Sequence, residues 1–415
     1  MRLNFKGTML ASACSLMLAL VVAVPAAHAQ AMADKAVLEK AESYKGEALA
    51  LLEKLVNIDS GSGYEKGLAQ VRAISVDELK KLGASIETVP SGDGGAHVLA
   101  TFLGTGKARI LLMAHMDTVF KEGTAAAKPF YIKDGRAYGP GVMDNKGGVL
   151  AGVYAIKILQ QLQFKDYAKL TFLLDNNEET GSAIATALIQ KVAKQHDVTL
   201  NLEPGRPADG LVIWRKGSGT ATVEVKGKTA HAGVAPELGR NAAMEAAHQI
   251  LQLGKLGSPE KQTTINFTVL KAGDRTNVIP DSASAKADVR VAVPEEFDRI
   301  EKDLARVSAN KLIADTEVKT TLSRGLPPMP QTAHQDALAA KAQAIYGEIG
   351  RKLTLEGSGG AADASLSAGV GVPTLDGFGI VGGNIHTENE YAEVESIVPR
   401  FYLLARMVME LSKPN

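Results

Sequence analysis

The sequence predicts an α/β protein, a mostly parallel sheet covered by helices, with an α+β unit inserted into it. Two observations predict the sheet. Residues 110–114 (Ile-Leu-Leu-Met-Ala) and 170–174 are short runs, apolar on both faces and too short for helices, as expected of strands covered on both sides. Residues 147–162 between them have helical spacing, and strand–helix–strand alternation favours parallel pairing. A third observation predicts the insertion: from residue 219 to 324 the rhythm changes to alternating segments punctuated by two helical ones.

Taken in order, the first 29 residues read as a processing segment. Arg2 and Lys6 are its positive start, residues 9–24 its apolar run, and Ala27-His28-Ala29 the small residues of a cleavage site before Gln30. The mature protein is therefore expected to be exported, to the periplasm or the medium. The single cysteine, Cys14, lies inside this segment, so the mature chain carries no thiol and no disulfide. A 415-residue chain that is 45% hydrophobic buries enough surface to need no covalent staple.

The first domain is expected over residues 30–218. In it, residues 37–56 place Val37, Leu38, Ala41, Ala48, Leu51, Leu52 and Leu55 at helical spacing. In the insertion, residues 220–225 alternate, 241–256 are helical, 263–269 and 283–293 alternate, 297–313 are helical and 316–322 alternate. That is β-α-β-β-α-β, the ferredoxin-like order, and it marks residues 219–324 as a separate domain. The first domain resumes over residues 325–415, with helices at 337–349 and 397–411 and a glycine-rich loop, Gly357-Ser358-Gly359-Gly360, between them.

Charge and composition exclude some function classes. Lys plus Arg equals Asp plus Glu over the whole chain, the two signs are interspersed and aromatic residues make up 5%, so no basic groove with stacking platforms is expected and nucleic acid is not a partner. Loss of Arg2 and Lys6 with the leader leaves the mature chain slightly acidic. Beyond the leader no apolar stretch is long enough to span a bilayer, so no stable membrane anchor is expected.

Five potential metal ligands stand where apolar runs end or loops close: His115, Asp144, Glu179, Glu203 and His386. Imidazole nitrogen and carboxylate oxygen are zinc ligands, and a catalytic site leaves a position for water. Three ligands for each of two ions from five residues requires one shared carboxylate, and Asp144 is the evident bridge. Asp117, two residues beyond His115 in an extended segment, projects to the same side and is placed to hold the other imidazole nitrogen. Glu178 beside Glu179 offers a carboxylate free to act as general base. Each residue also has a bland reading: a capped strand-end histidine, an N-capping aspartate, glutamates on a solvated surface, and, for His231 in Lys228-Thr229-Ala230-His231-Ala232-Gly233, a turn histidine.

As an ordered set these motifs resemble the di-zinc aminoacylase and carboxypeptidase superfamily, and most closely glutamate carboxypeptidases of the folate-hydrolysing carboxypeptidase G type. The resemblance runs from about Ala41 to the C-terminus through residues 111–119, 137–148, 177–182, 203–204, 230–239 and 277–280 to His386. It implies a zinc-peptidase-like domain binding two zinc ions, one held by Asp144, Glu179 and His386, the other by Asp144, His115 and Glu203. It implies Glu178 as general base, Asp117 as the partner of His115, and a cis bond between Asp144 and Asn145; Asn145 stands where family members usually carry a second aspartate. It implies that the inserted domain forms a homodimer and that His231 reaches the partner's site to stabilise an oxyanion.

The expected activity is hydrolysis of the amide bond before a C-terminal glutamate, in an acyl-glutamate or glutamyl peptide. Arg324 and Arg290 are expected to grip substrate carboxylates. Lys216, Ser218, Asn277, Gly359 and Gly360 are the other pocket candidates by resemblance. An N-acyl amino acid deacylase or dipeptidase of the same superfamily would share every ligand and differ only in the pocket. A solute-binding protein would have no use for Glu178.

Overall fold

Six strands make the sheet that positions the site, and the computed structural model describes residues 32–92 and 94–414. The leader, its cleavage site and Cys14 lie outside the described residues. Across the sheet the strands run Ser85–Pro90, Ala96–Leu103, Lys169–Asp175, Arg109–His115, Val198–Asn201 and Thr374–Leu375. The last four are mutually parallel, and the first two add an antiparallel edge that the sequence pattern did not reveal.

Strand alternation explains why the central runs are apolar throughout. Ile110, Leu112 and Ala114 enter one core together with Leu170, Phe172 and Leu174, whereas Leu111, Met113 and Leu173 enter a second core on the opposite face. Helices Lys146–Gln161 and Ile397–Leu411 cover the first face, and Thr186–Ala193 and Ala364–Ala368 the second. Among the described residues no helix is long and apolar enough to cross a membrane. The helix expected over 37–56 is divided into Lys35–Ser43 and Lys45–Val56 at Tyr44, whose N–H still bonds the Lys40 carbonyl and whose ring packs against Tyr154.

Residues 217–324 build a second sheet, wholly antiparallel, in the order Thr264–Ala272, Ser282–Val291, Gly217–Lys226, Glu317–Arg324. Helices Ala242–Leu253 and Glu295–Ser308 lie on one face and enclose Ala221, Val223, Val225, Val289, Phe297 and Ile300. Asn241 starts the first of these helices, its side chain accepting from the N–H groups of Ala243 and Met244. The strand order and connections are ferredoxin-like. Chain entry and exit run side by side: Arg215 and Met329 exchange backbone hydrogen bonds of 2.9 and 3.0 Å, and Ser218 N–H bonds Leu326 O at 2.9 Å.

Candidate metal centre

Three neighbouring parallel strands deliver their next residues to one edge of the first sheet. His115 ends Arg109–His115, Glu178 and Glu179 form a 3-10 turn after Lys169–Asp175, and Glu203 stands two residues beyond Val198–Asn201. Ligands collect beyond the carboxyl ends of such strands. Asp144 arrives on a loop turned by Gly139 and Gly141, both at positive φ, immediately before helix Lys146–Gln161, and its bond to Asn145 is cis. Gly148 lets that helix start against the strand end, because a Cβ there would lie 2.1 Å from the Leu202 carbonyl oxygen. His386 comes from the loop after Gly382–Gly383.

The five side chains converge. His115 Nε2 is 3.2 Å from Asp144 Oδ1 and 3.6 Å from Glu203 Oε1, while His386 Nε2 is 3.2 Å from both Asp144 Oδ2 and Glu179 Oε2. The two oxygens of Asp144 thus face two separate imidazole–carboxylate pairs. Bonds of about 2.0–2.2 Å in a tetrahedron put adjacent ligand atoms roughly 3.3 Å apart, so these spacings suit a cation between each set. Glu179 Oε1 is buried with no hydrogen-bond partner, as an oxygen reserved for a cation would be. His115, Asp144 and Glu179 each place a ligand atom within 4.8 Å of the others.

Asp117 organises the centre from behind. Wholly buried, it accepts from Ser62 Oγ (2.6 Å), Glu178 N (3.1 Å) and Glu179 N (3.2 Å), and its Oδ1 is 3.3 Å from His115 Nδ1, which is also 3.0 Å from the Asp117 carbonyl. One carboxylate therefore orients an imidazole and both neighbouring glutamates. Glu390, which sequence reasoning passed over, accepts from the N–H groups of Met143 and Asp144 and fixes the ligand loop. Lys146, also passed over, is buried beneath that loop with Nζ donating to the carbonyls of Ile58 and Pro140.

The electrostatics describe a centre short of positive charge. Burial opposes protonation of His115, but the Asp117 and Asp144 carboxylates beside it outweigh burial and raise its pKa well above the usual value. Hydrogen bonds to Asp144 and Glu179 push His386 up to about 10. Burial raises Glu203 to about 8, and burial followed by the charge of Glu203 raises Glu178 well above the carboxylate range. A cluster that recruits protons in this way is one that divalent cations would neutralise.

A cleft of about 310 Å³ opens over the centre, its walls including Glu178, Arg206, Arg215, Ser358 and Gly360. Of the expected pocket residues only Gly360 lines it. Arg324 donates to Asp298 and Glu301 of helix Glu295–Ser308 at 2.7 Å each, and Arg290 is paired with Asp288. Both arginines thus sit in intrachain ion pairs, because acidic residues come within reach of each guanidinium. Lys216 immediately precedes the entry strand Gly217–Lys226, Ser218 lies on that strand with its Oγ accepting from Leu326 N, and Gly359 is exposed beside the cleft. His231 and Asn277 are exposed on the 217–324 segment, next to each other, and neither lines this chain's cleft. Arg206, Arg215 and Ser358 were missed; both arginines follow Glu203 closely, and cations beyond a ligand-bearing strand end were the available signal.

Comparison with known proteins identifies the family. Residues 111–410 match the model of "Peptidase family M20/M25/M40". Carboxypeptidase G2 of Pseudomonas sp. (strain RS-16) is 36% identical over 383 residues, 91% of this chain and 92% of that protein. A succinyl-diaminopimelate desuccinylase of Bradyrhizobium sp. (strain BTAi1 / ATCC BAA-1182) is 27% identical over 85% of this chain and 95% of its own. Aminopeptidase PepT from Bacillus cereus ATCC 10987 superposes with a TM-score of 0.78 at 25% identity, covering 89% of this chain and 99% of that one. The Bacillus subtilis YXEP protein, described as a dinuclear metal binding peptidase, shares the fold at a TM-score of 0.68 and 15% identity, over 90% of this chain and 99% of that one. The chain belongs to the M20/M25/M40 peptidase family.

Proposed function

We propose that the chain is a zinc-dependent carboxypeptidase that hydrolyses the amide bond before a C-terminal glutamate. The observation that carries the reading is the Asp144 carboxylate, one oxygen turned to His115 and Glu203 and the other to His386 and Glu179, beneath a cleft that also holds Glu178. Bound between those sets, two zinc ions would supply an activated water and polarise the scissile carbonyl.

The chain's own residues do the rest. Glu178 pairs with neither imidazole and has its backbone anchored by Asp117, so its carboxylate is free to take the proton of the attacking water and carry it to the leaving nitrogen. His231 Nδ1 accepts from the N–H groups of Gly233 and Val234, which leaves the proton on Nε2 as an outward donor. Because His231 is exposed and does not line its own cleft, its oxyanion-stabilising role is assigned to a partner's site in a homodimer. The outer strand Thr264–Ala272, with Val269 and Leu270 exposed, is an open sheet edge suited to that pairing. Export follows from the leader pattern.

One observation favours a second reading. Arg324 and Arg290, on which glutamate preference rests, are held by Asp298, Glu301 and Asp288, so the same centre also suits an N-acyl amino acid deacylase or dipeptidase. Hydrolysis of matched N-acyl glutamate, aspartate, alanine and lysine by the zinc-loaded enzyme separates the two. Preference for glutamate by about tenfold or more supports the carboxypeptidase reading, and equal rates support the deacylase or dipeptidase.

A further inference from the structure

The cleft contains two arginines, and they differ in what they already hold. Arg215 is buried and committed: Nε donates to Asp376, and Nη1 to Ser358 Oγ (3.3 Å) and Gly360 O (3.1 Å). Arg206 is half-buried, and among the described residues no carboxylate pairs with it; its side chain donates only through Nη2, to Ser358 Oγ at 2.8 Å. That hydroxyl also receives Gly360 N–H at 3.1 Å, so three donors converge on one oxygen that has two lone pairs. An incoming carboxylate would relieve that crowding and give the remaining guanidinium donors a partner.

The backbone behind Arg206 is held in place. Arg206 and Gly210 exchange two backbone hydrogen bonds of 3.0 Å, closing a turn in which Ala208 and Asp209 both take φ of 59°. Side-chained residues seldom adopt that conformation, and here it is fastened from beneath. Tyr346 Oη and Arg351 Nη1 each bond the Asp209 carboxylate at 2.9 Å, and the fully buried Arg400 donates to Gly210 O at 3.1 Å. A turn held this firmly presents a long cationic side chain to the cleft with little freedom left to lose on binding.

We propose that Arg206 is the residue that captures a carboxylate of the leaving amino acid, with Ser358 and Arg215 setting its guanidinium beside the metal centre. The assignment rests on the hydrolytic reading of the site and names the substrate class within it: amides whose leaving amine carries a free carboxylate. Either the α-carboxylate or an acidic side chain supplies that chemistry.

The test compares N-acyl glutamate, N-acyl glutamine and N-acyl glutamate α-amide with wild-type, Arg206→Gln and Arg206→Lys enzymes, each zinc-loaded and checked for native circular dichroism. In Arg206→Gln the kcat/KM advantage of the substrate bearing the recognised carboxylate over its amide should fall about tenfold or more, chiefly through KM, and Arg206→Lys should restore part of it. Loss of advantage over the α-amide identifies the α-carboxylate, and loss over the glutamine substrate the side chain. An acid-to-amide ratio unchanged in Arg206→Gln overturns the proposal, as does a wild-type enzyme that hydrolyses acid and amide equally, even if the variant fails to fold. If the wild-type enzyme hydrolyses none of the three, the reading of the site fails, and Arg206 is judged by calorimetry with glutarate. A roughly tenfold weaker association in Arg206→Gln then supports carboxylate capture, and equal association overturns it.

Discussion

Replacing Asp117 with Asn keeps size and shape but changes one acceptor into a donor, which makes it a test of how the centre is held. Both Asp117 oxygens are in use: Oδ1 receives Glu178 N–H and faces His115 Nδ1, and Oδ2 receives Ser62 Oγ–H and Glu179 N–H. Whichever way the new amide turns, its NH2 meets a backbone N–H of Glu178 or Glu179. A donor left facing a donor in this buried place costs about 1–3 kcal/mol. The strain falls on the three groups that orient His115, Glu178 and Glu179, so it should be read out as metal affinity. Loss of such an outer partner lowers affinity about 10–100-fold, equivalent to about 1.4–2.7 kcal/mol. Competition for zinc against a fluorescent chelator measures it directly, with far-UV circular dichroism as the check on folding. If Asp117→Asn binds zinc within about twofold of wild type, Asp117 does not orient the ligands and the account of the centre given above is wrong.

Three further outcomes are expected. Glu178→Ala should lose about 10²–10⁴-fold in kcat while keeping its zinc, whereas Glu179→Ala should lose zinc as well; a Glu178→Ala enzyme retaining more than roughly a hundredth of wild-type kcat would remove its role as base. Mixed His231→Ala and Glu178→Ala chains, each nearly inactive alone, should regain activity on subunit exchange, since about half the dimers are hybrids with one competent site; no recovery after verified exchange rejects action across the dimer. His196 is buried neutral between Val192 O and Thr171 Oγ1, and burial lowers its pKa to about 4. Because the folded value lies below the unfolded value of about 6.5, the unfolded state binds the proton first and stability falls as pH drops from about 6.5 to about 4, by roughly 1.4 kcal/mol per unit at most. Urea midpoints of wild type and His196→Gln should therefore converge on acidification, and parallel midpoints over that range would exclude the effect.

How much of this was legible in the sequence depended on how strongly each residue announces its surroundings. Residues 110–114 and 170–174 read as covered strands because every position is apolar, and His115 and Glu178-Glu179 follow from where those runs stop. Helix Glu65–Lys81 left little trace. Its buried face mixes Leu68, Val71 and Leu79 with the small Gly67, where a Cβ would lie 1.6 Å from the Asp59 carbonyl oxygen, and Ser75, so the apolar stripe is interrupted. Strand Ser85–Pro90 is an edge with no buried residue, so it lacks the signature of its neighbours. The pocket was the least legible part. Arg324 looked available until helix Glu295–Ser308 brought Asp298 and Glu301 under it, and Arg206 drew no notice until the fold placed it in the wall of the cleft.

The division of the chain has a mechanical consequence for catalysis. Four of the candidate ligands precede the second sheet and His386 follows it, so that sheet can be joined to the site only through the two segments tied at Arg215–Met329 and Ser218–Leu326. Arg215, at the root of the entry strand, shares the Ser358 hydroxyl with Arg206. Any rotation of the 217–324 segment relative to the cleft must pivot beside the cationic wall. Arg215 is the rigid member of that wall: its guanidinium is shared between Asp376 near the sheet end and the Ser358–Gly360 loop, which ties the cationic wall to the ligand-bearing sheet. A side chain placed there to bind substrate alone would not need to be buried and neutralised. One that must stay fixed at a pivot would, since a desolvated guanidinium holds its position only while its partners do.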